Sequence, residues 1–362
     1  MLSEYTLPEY TVKHAALLVD YCLEVERGQR VLVQSSTLAL PLVEALYRAI
    51  LERGAEPILN LEYPDQSADY VRLADPDLLE RVHPTRLQEL ERVHSSLRIL
   101  TPHLGTAAPA ERVQRFRLAS SALAEIRRHK RWSLTLFPTQ TGAELAEMPY
   151  ADYADFVARA MFLDCSDPIA KWLEVREFQA GLVERLSRAR EVRLVSLETD
   201  VKMQTDSRVW RNSDGLRNMP SGEVFTSPLE DSANGTIFFD VPTMYGGQKV
   251  SNIRLELVNG KITRASAEEG NDVLQAALET DPGARFLGEI GIGSNYEIQR
   301  PTREILFDEK IGGTVHLAVG SSYRECGGLN ESAIHWDMIC DLRKGGEIWL
   351  DGEIFQRNGV FV

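Results

Sequence analysis

A histidine and an aspartate stand two residues apart near the C-terminus, as His335 and Asp337 within residues 333–339. The segment is typical of a β-strand, in which successive side chains alternate between faces, so these two would project together. The apolar residues between and beside them would then face the core. An imidazole and a carboxylate at this spacing can bind one metal ion, or one ion each of a close pair. A His–Asp hydrogen bond on an exposed face explains the pattern equally well.

A second histidine, His316, lies in another strand pattern, residues 314–319, with Gly312-Gly313 before it and Gly320 after it. Small residues on both sides indicate a close backbone approach or a tight turn beside a site. The other histidines fall in helical or loop segments of the first half that are rich in Arg and Glu, which predicts solvated or capping side chains. These are His14, His83, His94, His103 and His129.

Carboxylates in apolar surroundings complete the set of candidate ligands. Glu223 and Glu289 each follow a glycine and precede an apolar residue, and a glutamate in such a place is costly to bury unless a cation compensates it. Asp308-Glu309 supplies a third candidate carboxylate. Four or five oxygen and nitrogen donors on separate β segments could converge on two divalent ions. That inventory is typical of co-catalytic hydrolases, among which are aminopeptidases.

Other chemistries lack their local motifs. The sequence has no G-x-x-x-x-G-K-[ST] loop, no G-x-G-x-x-G after its first strand, no G-x-S-x-G and no H-E-x-x-H. The isolated Gly291-Ile292-Gly293 is predicted to be a turn. The four cysteines form no C-x-x-C pair, so they are expected to be reduced thiols rather than a disulfide framework or a thiolate zinc site.

Charge and hydropathy restrict the partners. A formal net charge of −14 over 362 residues argues against a nucleic-acid-binding protein, since such a chain cannot neutralise a phosphate backbone. Asp20 and Glu24 interrupt the apolar stretch near the N-terminus, which does not resemble a secretory signal, and no apolar run reaches the length of a membrane span. We therefore expect a cytoplasmic protein that binds neither nucleic acid nor membrane.

The first half must supply a scaffold of alternating helices and strands. Strand-like runs at residues 30–34, 57–61, 97–101 and 132–137 alternate with helical stretches, of which Leu38 to Arg53 ends at a capping Gly54. This alternation predicts βαβ units and a parallel sheet. Two more helices, at about 151–164 and 167–190, are predicted to close this half.

From Val192 onward the pattern changes to short β-rich runs with Gly, Asn and Asp turns, interrupted by one helix at about 271–279. Asn259-Gly260 between two alternating strands is a strong hairpin signal. The predicted fold is an α/β N-terminal domain with a mostly parallel sheet (residues 1–190), followed by a β-rich α+β catalytic domain (residues 191–362).

These residues, taken in order, resemble the aminopeptidase T and aminopeptidase S family of thermophilic-type metalloaminopeptidases. The similar segments are 222–228, 287–289, 306–316 and 327–337, and in the first half 28–33, 39–43 and 54–55. The resemblance implies that Glu289 bridges two divalent ions and that Tyr323 is the catalytic tyrosine near the scissile carbonyl. The full set of metal ligands that it implies is Glu223, Glu289, Glu309, His316, His335 and Asp337.

The resemblance also implies an aminopeptidase that releases N-terminal residues from peptides with a free N-terminus. It further implies a homodimer and the use of zinc, cobalt, manganese or magnesium. Two alternatives stay open. One is another two-metal hydrolase, such as an amidohydrolase or a dipeptidase. The other is a non-catalytic scaffold with a single structural metal, for which four closed ligands would suffice and Tyr323 would have no chemical role.

Overall fold

The computed structural model describes residues 8–81, 84–106 and 108–362, so His83 lies outside the described residues. The chain forms two compact units. The first contains residues up to Lys171 together with Gly215–Pro220, and the second contains Trp172–Asp214 and Ser221–Val362. The helix Pro168–Arg188 therefore lies mostly in the second unit. The domain boundary near residue 191 stays a prediction.

A five-stranded parallel sheet forms the centre of the first unit, which confirms the expectation from alternating helices and strands. Its inner strands are rich in buried Val, Leu and Ile, as parallel strands covered on both faces must be. In spatial order the strands are Glu56–Glu62, Arg30–Ser36, Ser95–Leu100, Arg131–Leu136 and Asn218–Met219.

Helices surround this sheet, and one of them ends as the sequence predicts, because Gly54 adopts a φ of 71° just after the helix Leu40–Glu52. A π-helix, Leu17–Cys22, continues the first helix. Between the strands Ser95–Leu100 and Arg131–Leu136 the chain forms two helices in succession. The α-helices of this unit are Glu9–Ala16, Leu40–Glu52, Gln66–Leu73, Pro76–Leu79, Pro84–Arg92, Ala110–Ala119, Ser121–Arg128, Gln140–Leu145 and Tyr150–Ala160.

The second unit is rich in antiparallel strands. Its eight-stranded sheet has the order Lys261–Ser266, Ile253–Val258, Asn234–Phe239, Thr199–Gln204, Glu191–Ser196, Glu347–Leu350, Glu353–Arg357 and Val360–Phe361. Its five-stranded sheet has the order His335–Asp341, Thr314–Gly320, Leu287–Gly293, Glu223–Thr226 and Arg211–Ser213. Thr243–Tyr245 and Gln248–Val250 form a separate pair, and the further α-helices are Asn271–Leu278 and Ile305–Asp308.

Two local predictions in this unit are confirmed. Asn259 and Gly260 both have positive φ, 48° and 77°, in the tight turn that joins Ile253–Val258 to the antiparallel strand Lys261–Ser266. Trp336 and Met338, which alternate with the two candidate ligands on their strand, belong to one hydrophobic core that includes residues of both large sheets. Because the apolar side chains of that strand pack into the core, the side chains of His335 and Asp337 project from its opposite face.

Two other expectations are wrong. Gly291-Ile292-Gly293 is the end of the buried strand Leu287–Gly293 and not a turn. His14 is neither solvated nor capping, since it is only 4% exposed and its Nε2 lies 2.8 Å from the hydroxyl oxygen of Thr135. A histidine on the inner face of a helix gives no sequence signal that separates it from an exposed one.

The four cysteines form no disulfide with one another, and Cys22, Cys326 and Cys340 are buried. Over the ranges that the structure describes, no helix combines the length and the apolar composition needed to cross a membrane.

Candidate metal centre

The five-stranded antiparallel sheet presents most of the predicted ligands on one face. Across its strands Glu289 pairs with Ala318, Ala318 with Asp337, and Gly320 with His335. Because directly opposed residues of antiparallel strands project to the same side, these side chains share a face. The same holds for the pairs Gly291–His316 and Gly293–Glu223. Four separate strands of one sheet therefore bring their candidate ligands together.

A β-bulge at Gly288 places Glu289 on that face. Leu287 pairs with Val319 and Glu289 pairs with Ala318, so Gly288 is the extra residue of its strand. Leu287 and Ile290 consequently both face the hydrophobic core, whereas a regular strand would put Leu287 and Glu289 on the same side. A side chain at position 288 would meet the backbone oxygen of Ser321 at 2.2 Å, so only glycine fits there.

Small residues alternate with the candidate ligands on this face. A Cβ atom on Gly291 would lie 2.1 Å from the Nε2 atom of His316, and one on Gly320 would lie 2.2 Å from the backbone oxygen of Ile334. Gly291 thus provides the room in which the imidazole of His316 lies against the sheet. Gly320, which follows His316 in the sequence, instead permits a close backbone approach to Ile334.

Glu289 lies between the two histidines. Its Oε2 atom is 3.1 Å from Nε2 of His335, and its Oε1 atom is 3.6 Å from Nε2 of His316. The Nδ1–H of His335 donates a hydrogen bond of 2.8 Å to the carbonyl of Ser321. In the neutral ring that metal ligation requires, Nε2 is therefore the nitrogen without a proton. Each oxygen of one buried carboxylate therefore faces a different imidazole.

The donor atoms form three groups within which every ligand atom lies within 4.8 Å of the others. The groups are Glu223–Glu289–His316, Glu289–His335–Asp337 and Glu309–His316–Asp337. Glu289 is shared by the first two. All six residues that the sequence suggested as ligands are thus brought together, and none of them lies elsewhere in the fold.

The pKa values of the candidate ligands indicate a site that favours bound cations. Burial alone would lower the pKa of His335, but Glu289 and Asp337 outweigh it and raise the pKa to about 10. At His316, burial again lowers the pKa, but Glu289 and Glu223 outweigh it and raise the pKa to about 9. Burial raises the pKa of Glu223 and of Asp337. Without metal, the histidines therefore hold protons in place of a cation.

The residues present fit divalent cations. The Oε2 atom of Glu223 and the Oδ1 atom of Asp337 are buried and have no hydrogen-bond partner within the described part of the chain. Buried carboxylate oxygens without donors are rare, because each forfeits its hydration. Carboxylate oxygens and imidazole nitrogens are the ligands that zinc and related divalent ions take in catalytic sites.

Tyr323 lies beside this group of donors. Its hydroxyl oxygen is 3.4 Å from Nε2 of His335, and its ring contacts those of Phe225 and His335 at centroid distances of 5.3 and 5.1 Å. The hydroxyl of Ser227 accepts a hydrogen bond from the backbone N–H of Tyr323. The negative charge of Glu289, together with burial, raises the pKa of Tyr323 well above its usual value. The phenol therefore stays protonated and is a hydrogen-bond donor.

Sequence reasoning missed two residues that contact this site. Lys310 is fully buried and contacts both Glu223 and Glu309. Gln179, buried on the helix Pro168–Arg188, donates a 2.6 Å hydrogen bond to the backbone oxygen of Glu223. A lysine between a candidate ligand and an apolar residue is a detectable signal, but nothing in the sequence relates Gln179 to a residue 44 positions away.

Comparison with known proteins identifies the family. A family model described as thermophilic metalloprotease (M29) matches residues 9–361. Aminopeptidase 2 from Geobacillus stearothermophilus is 28% identical, with 90% of each chain covered. Aminopeptidase AmpS from Bacillus subtilis is 25% identical, with 90% of this chain and 91% of that protein covered.

A solved structure agrees with the fold. AmpT from Thermus thermophilus superposes with a TM-score of 0.83 at 23% identity, over 99% of this chain and 100% of that one. The predicted fold, with a parallel-sheet α/β part before a β-rich part, is therefore confirmed. So is the resemblance seen in the sequence, since the family model spans nearly the whole chain. The chain belongs to the thermophilic metalloprotease (M29) family.

Proposed function

We propose that this metalloprotease is a two-metal aminopeptidase, which removes N-terminal residues from peptides. The observation that supports two ions is the position of Glu289, whose two oxygens face His316 and His335 and which belongs to two separate donor groups. A bridging carboxylate between two ligand groups is the arrangement that a pair of close ions requires. A single closed structural site would need four ligands and would leave two of the six unexplained.

Glu223, Glu289 and His316 would hold one ion, and Glu289, His335 and Asp337 the other, with Glu309 as a peripheral ligand. When bound, divalent ions polarise a carbonyl and provide hydroxide from water near neutral pH. The metals that suit these donors are zinc, cobalt, manganese and magnesium. The carbonyl of Ser321 holds His335 in the tautomer that ligation needs.

Tyr323 would act on the substrate. Its protonated hydroxyl lies beside His335 and can donate to the oxygen of the scissile carbonyl as negative charge develops there. Such a contact strengthens only in the transition state and so raises kcat.

The site also suits a free N-terminus. An ion held by one donor group would offer a position to the free α-amine of a peptide, while an ion held by the other would be available to the first carbonyl. An internal or acetylated residue has no free amine, so the site would select the end of a peptide over its interior. The relatives named aminopeptidases agree with that proposal.

The deciding experiment measures the release of leucine from leucine amide by the metal-loaded protein, and from N-acetyl-leucine amide as the matched control. We expect release from the first and none from the second, and loss of activity after chelation that zinc, cobalt, manganese or magnesium restores. Cleavage of the acetylated compound would favour a general amidohydrolase. Cleavage of dipeptides alone, with longer peptides untouched, would favour a dipeptidase. Full turnover after exhaustive chelation would exclude a metal-dependent mechanism.

Two further parts of the proposal have their own measurements. We propose a homodimer, which sedimentation at micromolar concentration would test, with a monomer as the contradicting result. We propose a cytoplasmic location, which fractionation of the source cells would test.

A further inference from the structure

Lys310 is a charged side chain in the interior of the metal centre. It is 0% exposed, its Nζ atom is 3.3 Å from Oε1 of Glu223, and it forms an ion pair with Oε1 of Glu309. It therefore joins two glutamates that come from different parts of the chain. Glu223 begins a strand of the five-stranded sheet, and Glu309 follows the short helix Ile305–Asp308.

The two carboxylate oxygens of Glu223 have different neighbours, and the ammonium group of Lys310 is one of them. Oε1 faces Lys310, while Oε2 faces Nε2 of His316 at 3.4 Å and has no hydrogen-bond donor in the described part of the chain. A carboxylate held in this way presents one oxygen to a cation and keeps the other occupied. Glu309 is in contact with the same ammonium group and is also one of the donors near His316 and Asp337.

Charge balance alone does not explain where this lysine lies. The site has four carboxylates, which two divalent ions would balance with both histidines neutral, and the charge of Lys310 would balance that of one hydroxide. A less buried cation could do the same, whereas the desolvation of Lys310 is costly. Its contacts with Glu223 and Glu309 give this position a geometric role.

We propose that Lys310 is a positioning residue of the metal centre, which fixes Glu223 and Glu309 as ligands with a single oxygen each. This inference rests on the proposed two-metal function. Outer contacts of this kind orient metal ligands, and their loss weakens metal affinity or activity by about 10–100-fold.

The test titrates zinc into the metal-free protein and measures affinity by competition with a chromophoric chelator. Lys310→Met keeps an unbranched side chain as far as the ε position and removes the ammonium group. We expect zinc affinity to fall by about 10–100-fold at one or both sites. With zinc in excess, we expect kcat on leucine amide to fall while KM changes little, because Lys310 is fully buried and therefore out of reach of a substrate. The matched control is Lys202→Met, which removes a lysine paired with Glu191 on the surface of the same unit.

A double-mutant cycle with Glu309→Gln separates positioning from packing. If Lys310 acts through its carboxylate partners, Lys310→Met should cost less zinc affinity in the Glu309→Gln background than in the wild type. A purely structural lysine would lower the melting temperature by the same amount in both backgrounds and leave zinc affinity unchanged. Lys310→Gln, which keeps a donor group, should recover part of the lost affinity.

Two results would overturn the proposal. Zinc affinity in Lys310→Met equal to or tighter than in the wild type would show that the ammonium group only opposes the cations. Failure of both Lys310→Met and Lys310→Gln to fold, even with zinc present throughout, would show that the role is in folding and not in the metal centre. A wild-type protein that binds fewer than two ions would instead refute the proposed function, so the two failures are distinguishable.

Discussion

Gly291 and His316 lie directly opposite each other on neighbouring antiparallel strands, and the imidazole occupies the space where a Cβ atom on residue 291 would lie. That atom would be 2.1 Å from Nε2, the nitrogen that faces Glu223 and Glu289. The ligand and the glycine therefore form one structural unit, since the position of the first requires the absence of a side chain on the second.

We expect Gly291→Ala to displace His316 and to weaken metal binding and activity by at least about tenfold, while the sheet still forms. The measurements are zinc content per chain and turnover of leucine amide, with circular dichroism to check the fold. Gly181→Ala is the matched control, because a Cβ atom there meets nothing within 4 Å. The control should gain about 0.5–1 kcal/mol in free energy of unfolding, as a helix gains from Ala over Gly. Wild-type zinc content in Gly291→Ala would show that the ring has another place to go.

Glu289→Gln should reduce activity more than Glu309→Gln. Glu289 belongs to two donor groups and Glu309 to one, so the first change weakens both proposed ions and the second weakens one. Metal content by elemental analysis and kcat/KM for each variant provide the comparison. Equal losses, or a larger loss in Glu309→Gln, would mean that the bridging role is wrongly assigned.

Tyr323→Phe removes one hydroxyl and keeps the ring that packs against Phe225. If the hydroxyl donates to the oxyanion only in the transition state, kcat and kcat/KM should fall together by about 10²–10³-fold, with both metals retained. An increase in KM at unchanged kcat would indicate ground-state binding instead. Unchanged kinetics with a lower melting temperature would make Tyr323 structural.

The pH dependence of stability has a contribution from His14 of the first unit, which is not one of the candidate metal ligands. Burial lowers the pKa of His14 from 6.5 to about 3 in the folded chain, so this histidine is neutral when folded. Between pH 6.5 and pH 3, His14 binds a proton in the unfolded chain and not in the folded one, which favours unfolding. The contribution of neutral His14 to the free energy of unfolding is therefore full above pH 6.5 and is lost as the pH falls toward 3.

We therefore expect the melting temperature of His14→Gln to fall less than that of the wild type between pH 6.5 and pH 4. The glutamine can still form a hydrogen bond with Thr135. Measurements on metal-free protein keep loss of ions out of the comparison. Parallel curves for the two proteins would show that His14 is not responsible.

The sequence was most informative where a strand is regular. His335 and Asp337 are recognisable as neighbours on one face because Trp336 and Met338 alternate with them and reach the core. The parallel sheet of the first unit is predictable for the same kind of reason, since its strands and helices have clear periods and a clear capping glycine at Gly54.

Irregularity explains what could not be predicted. The sequence pattern does not indicate the strand Leu287–Gly293, because the bulge at Gly288 breaks the alternation of apolar and polar residues. The convergence of Glu223 and Glu289 depends on the register of strands that lie far apart in the sequence. The role of Lys310 depends on the fold, because only the folded chain places its ammonium group against both Glu223 and Glu309.

The distribution of the ligands over four strands has a consequence for motion. Ions bound there would cross-link Glu223–Thr226, Leu287–Gly293, Thr314–Gly320 and His335–Asp341, while the eight-stranded sheet would gain no such link. Local opening of the five-stranded sheet would then require release of the ions, and its free energy would rise with metal concentration. Amide hydrogens of these four strands should exchange more slowly with deuterium when zinc is present, and those of Asn234–Phe239 should respond far less. In this protein, the metal would therefore decide which of the two sheets is the more rigid.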